Sequence, residues 1–140
     1  MYKLGSVIIG FLITIMVTIN GVLSKGVGDY KSVLIIHVVG LTAISLLLLL
    51  RKEKVNLKKE IPKYLFSGGA IGIFVVLFNN ISFNKLGAAL TLSLGLFGQL
   101  IMSVIIDHFG LFNMDISKFN VKKIFGFLLI FAGLVVMIIY

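Results

Sequence analysis

Gly98–Phe112 reads GQLIMSVIIDHFGLF, and within it an amide, a hydroxyl and a carboxylate recur at steps of four: Gln99, Ser103 and Asp107. Residues four apart lie one above another on an α-helix, so the three form a polar stripe along one side of an otherwise apolar helix. The meaning of the stripe depends on its surroundings. Hydrophobic residues make up 59% of the 140-residue chain and charged residues 13%, with a mean hydropathy of +1.16. Soluble domains carry only about 45–50% apolar residues. The chain is therefore read as one integral membrane domain, 1–140, and the stripe lies in hydrocarbon, where polar groups are costly and tend to be functional.

Composition excludes several classes. With no cysteine there is neither a disulfide framework nor a thiolate metal site. The net charge of +8 could suit nucleic acid, but the basic residues cluster between apolar runs, where membrane topology and anionic headgroups place them. No nucleic acid partner is expected. Nothing with metal-ligand spacing accompanies His37, and no cofactor is expected. As an enzyme the nearest constellation is Ser103, Asp107 and His108. Its histidine lies about 100° round the helix from Asp107, a poor triad, so the chain is not read as an enzyme.

Five runs are long enough, or nearly so, to cross about 30 Å of hydrocarbon at 1.5 Å per residue: Leu4–Ser24, Val33–Leu50, Tyr64–Phe83, Leu86–Ile106 and Ile124–Tyr140. The first is too long for a signal peptide and lacks its small-residue cleavage pattern, so it is expected to remain as a span. Asn84 and Lys85 leave room only for a tight turn, which predicts an antiparallel hairpin of the third and fourth spans. Ten of the 13 Lys and Arg fall on one side of this arrangement and three on the other. The positive-inside rule then puts the amino terminus in the cytoplasm and, with an odd number of spans, the carboxyl terminus outside. The connection 51–63, with Pro62 suited to starting the third helix, is expected along the inner headgroups.

Depth follows from the rise. Asn20 and His37 are level in the outer third, together with Asn79, Asn80, Thr91 and Ser93. Gln99 is near the middle, and Asp107 with His108 is at the inner face. Thr14 and Thr18 are expected to bond back to their own helix. Gln99 stands out, because a primary amide near the midplane needs a partner helix, a cavity or a substrate. Small residues form a second signal: Gly68, Gly69 and Gly72 open span three, Gly95 and Gly98 flank the middle of span four, and Gly126 and Gly133 share a face of span five. Such residues let helix backbones approach closely.

These residues carry a resemblance. NGVLSKGVG, HVVG, SGGAIG, NKLGAAL, GQLIMSVIIDHFGLF and KKIFGFLLIFAG, taken in order, resemble the small YdcZ-type five-helix membrane proteins of the drug/metabolite transporter superfamily. The chain departs from that pattern at His37, where a small polar residue is more usual, and at Asn113, where glycine is commoner. The resemblance implies an all-α half-transporter repeat, working as an exporter of a small metabolite or drug-like molecule by alternating access in an antiparallel two-subunit unit. Ten basic residues against three disfavours insertion both ways round, so the expected partner is an oppositely oriented homologue, with a dual-topology homodimer as runner-up. In that machine Gln99 contacts substrate with Ser103 beside it, and Asn20, His37 and Asn80 line the outer vestibule. Asp107 and His108 form an inner gate or proton stop, and Gly126 with Gly133 packs the dimer. A small channel, or a membrane scaffold without transport, is the alternative reading.

Overall fold

Backbone N–H and C=O groups have no water to bond in hydrocarbon, so a membrane chain of this composition pairs them within helices. The computed structural model describes residues 2–52, 61–117 and 120–139. Its α-helices are α1 (Tyr2–Val27), α2 (Asp29–Arg51), α3 (Ser67–Phe109) and α4 (Lys122–Ile139), with 3₁₀ turns at Lys63–Phe66 and Leu111–Asn113. The segment Leu4–Val27, α2 and Lys63–Phe109 are each long and apolar enough to cross a membrane, while Lys123–Ile139 is a shorter apolar helix. The protein is membrane-embedded.

Four helices stand where the sequence predicts five spans, because the third and fourth expected runs lie within the single 43-residue α3. A straight helix of that length would extend about 65 Å, twice the hydrocarbon thickness. Gly87 interrupts it, with φ 78° and ψ 177°. That region of backbone space is essentially restricted to glycine, which explains why the break falls there rather than at Asn84 and Lys85. Both of those residues are helical, so the predicted turn position is corrected by two residues.

The first connection is also shorter than the sequence suggests. Gly28 alone separates α1 from α2, at φ 90° and ψ 154°. Its N–H bonds to Ser24 O at 2.8 Å and its carbonyl accepts from Ser32 N at 3.0 Å, so hydrogen bonding continues across the junction. Lys25 in the last turn of α1 and Asp29 in the first turn of α2 each complement the local helix dipole. At the far end of α2 the backbone N–H of Lys52, in the left-handed conformation, bonds to Leu48 and Leu49 carbonyls and closes the helix. Pro62 caps the 3₁₀ turn that leads into α3. The expected course of the 51–63 connection along headgroups falls mostly outside the described residues.

Contacts divide the chain into two compact units, Met1–Lys85 and Leu86–Tyr140. In the first, the buried side chains are Val17, Asn20, Ser24, Ser32, Val33, Asn80 and Phe83. Polar groups thus form much of the interior, while Phe11, Leu34, Leu41 and Leu49 are all at least 65% exposed. That inversion suits lipid and would be an aggregation hazard in water. In the second unit Phe97 packs on α4 against Phe127 (centroids 6.4 Å apart) and Phe131 (5.9 Å). The Ser93 hydroxyl donates to Met137 Sδ at 3.6 Å, so residue numbers rise on one helix as they fall on the other and the pair is antiparallel.

Candidate functional site

Two amides one turn apart on α3, Asn80 and Asn84, tie that helix to α1 and α2. Asn80 Nδ2 donates to Ser32 Oγ at 2.9 Å, and Asn84 Nδ2 donates both to Ser24 Oγ at 3.0 Å and to Asp29 Oδ1 at 2.8 Å. Each serine hydroxyl spends its own proton on a carbonyl of its own helix, Ser24 on Gly21 O at 2.8 Å and Ser32 on Asp29 O at 2.7 Å. Both oxygens are thereby left free to accept from the amides. Asn80 Oδ1 is buried without a hydrogen-bond partner among the described residues. Beside this clasp Phe83 packs on the bare backbone of Gly21, where any Cβ would overlap the ring. The Lys25 ammonium lies 5.2 Å from the same ring's centroid, a cation–π contact.

Asn20 is buried in α1, and His37 is half-buried on α2. His37 Nδ1 lies 2.8 Å from Val33 O. A carbonyl only accepts, so Nδ1 carries the proton in that bond. The ring borders an apolar groove of about 280 Å³ together with Tyr30, Val33, Leu34, Ile73 and Leu77. Asn80 is joined not to Asn20 or His37 but to Ser32. Thr14 and Thr18 bond back to Gly10 O and Thr14 O, at 3.0 and 2.8 Å, as their spacing predicts.

In the second unit two of the three residues of the polar stripe lie at the surface. Gln99 and Ser103 are exposed, and Asp107 is half-buried. Gln99 makes no hydrogen bond among the described residues, which leaves two donors and an acceptor presented from a helix of otherwise lipid-like surface. Thr91 is buried, and its hydroxyl has no partner among the described residues. Asp107 O accepts from Ser117 N at 2.8 Å, which folds the following loop back onto the end of α3. His108 stacks edge-on against Phe109, with centroids 5.0 Å apart.

Gly68, Gly69, Gly72, Gly95, Gly98, Gly126 and Gly133 all border open space: a Cβ added at any of them meets nothing within 4 Å. The glycine that packs tightly in the first unit is Gly21, which the sequence reading did not single out. Ser24, Asp29, Ser32 and Asn84 were also missed: Ser24 stood as the last residue of the first expected span, and the other three were placed in connections. The signal available was the four-residue step from Asn80 to Asn84. Among the described residues no group of three or more His, Cys, Asp or Glu could hold a metal ion.

A family model described as "Putative inner membrane exporter, YdcZ" matches residues 1–136. No curated protein and no solved structure matches the chain.

Proposed function

Because this chain belongs to the YdcZ family, a membrane transporter role is its general character, and we propose that it is one half of an exporter for small neutral or zwitterionic metabolites. The unit is antiparallel: this chain, with five spans and its amino terminus in the cytoplasm, pairs with an oppositely oriented homologue and alternates access around a site near the midplane. The observation that carries the reading is Gln99, an exposed amide without a partner among the described residues, one turn from exposed Ser103 on an apolar helix. Facing lipid alone, that amide would be left unsatisfied at a cost of several kcal/mol. A cavity shared with a second subunit supplies it with water and substrate.

The division of labour follows from burial. Gln99 and Ser103 contact substrate, while Asn20 and His37 shape the outer approach. Asn80, fully buried against Ser32, holds the helices that frame that approach. Asp107 and His108 close the inner end. The open faces of Gly126 and Gly133 pack the second subunit. By residue depth along the expected spans, His37, Asp107 and His108 all stand away from the level of Gln99, which disfavours a bulky cation as substrate.

The test is metabolite release from cells that express the chain with its oppositely oriented homologue, compared with Gln99→Leu. Export falls at least tenfold in the variant, while membrane level and melting temperature stay unchanged because the residue is exposed. Undiminished export from Gln99→Leu would refute the shared cavity and favour a scaffold.

A further inference from the structure

We propose that the Arg51 end of α2 holds an anionic phospholipid, its phosphate on the Arg51 guanidinium and one acyl chain along Leu48, Leu47 and Ile44. These four residues stand at positions i, i+3, i+4 and i+7 and so make one continuous face of α2. Among the described residues they line a groove of about 260 Å³. Ile44 and Leu47 are 51% and 55% exposed. From Ile44 to Arg51 the helix rises about 10 Å, most of one leaflet's share of the hydrocarbon.

Chemistry selects the occupant. Three aliphatic side chains ending at a guanidinium match a molecule with a hydrocarbon tail and an anionic head, and guanidinium binds phosphate oxygens bidentately. Arg51 has no carboxylate partner among the described residues, and the Lys52 backbone N–H is already engaged with Leu48 and Leu49 carbonyls. The last carbonyls of α2 are thus partly closed off to the guanidinium. In sequence, the stretch that follows carries Lys52, Lys54, Lys58, Lys59 and Lys63 against Glu53 and Glu60, a net positive balance that favours anionic headgroups. A free phosphate would use Arg51 but leave the aliphatic face uncovered, so the site takes a lipid.

The chain contains no tryptophan, so a single reporter can be placed anywhere. Leu47→Trp puts it in the groove, and Leu46→Trp, exposed on the opposite side of α2, is the control. Each protein is assembled in phosphatidylcholine nanodiscs containing, at equal mole fraction, phosphatidylglycerol or phosphatidylcholine with brominated chains. Phosphatidylglycerol quenches the Leu47→Trp reporter several-fold more than phosphatidylcholine does, while the Leu46→Trp reporter does not discriminate. Adding Arg51→Gln lowers the preference about fivefold, the change expected for one basic residue at a charged surface. Lys52→Gln lowers it less, and Arg51→Lys, which keeps the charge if Arg51→Gln does not fold, retains part of it. Excess inorganic phosphate leaves the quenching unchanged. Equal preference at both reporters, equal effects of Arg51→Gln and Lys52→Gln, or displacement by inorganic phosphate would each overturn the site.

Discussion

Asn80 meets its two polar demands unequally: its nitrogen donates to Ser32, while its buried carbonyl oxygen has no partner among the described residues. Interhelical hydrogen bonds in membranes contribute about 0.6 kcal/mol on average and at most about 1.7, because the unfolded chain in lipid also finds partners. A double-mutant cycle of Asn80→Ala and Ser32→Ala, read by thermal unfolding in detergent, is therefore expected to give a coupling of about 1 kcal/mol. Zero coupling would mean the bond adds nothing in lipid. Gly21 is more demanding, since Phe83 occupies the space of any side chain there. Gly21→Val should destabilise by about 1–3 kcal/mol through overpacking. Adding Phe83→Leu should recover part of that loss; strict additivity would show that the two residues do not oppose each other. At this scale the sequence disclosed the self-bonded threonines, because a hydroxyl four residues after a carbonyl on a helix has an acceptor within reach. It hid Gly21, because a glycine's neighbour is known only once two helices meet.

Helices were legible wherever apolar residues ran unbroken, and their ends were not. Span two was expected to begin at Val33, yet α2 starts at Asp29. Asp29, Lys31 and Ser32 look like a connection by hydropathy but are stabilised there by the dipole, the Gly28 junction and the amide clasp. The same ambiguity placed a turn at Asn84, whose amide in fact holds two helices together. α3 shows how little backbone a break requires. With φ at 78° and ψ at 177°, Gly87 sits where a Cβ is strained although the space around it is open. Gly87→Ala should therefore cost about 1–3 kcal/mol through backbone strain alone. Neighbouring Ala88→Gly, helical and without that constraint, should cost about 1 kcal/mol or less. The comparison needs only melting temperatures. Equal losses at the two positions would mean that residue 87 is free to enter an ordinary helical conformation.

For the whole molecule, charge asymmetry argues for orientation, and orientation argues for the kind of partner. Ten basic residues lie on the side expected to face the cytoplasm and three on the other, a bias that fixes a small membrane protein one way round. Six of the ten belong to the 51–63 stretch: Arg51, Lys52, Lys54, Lys58, Lys59 and Lys63. Exchanging all six for Gln leaves four against three, close to the balance of proteins that insert both ways. A reporter active only in the cytoplasm, fused to the amino terminus, should give a full signal from the native chain and a substantially reduced one from the six-fold variant. The same reporter on the carboxyl terminus should do the reverse, silent in the native chain and active in the variant, because the proposed five spans would put the termini on opposite sides. That second fusion separates two ideas. Full signal from both termini of the native chain would mean an even number of crossings, which overturns the five-span reading. A half-strength signal at each terminus would mean mixed insertion of the native chain, making the dual-topology homodimer the better account of its partner.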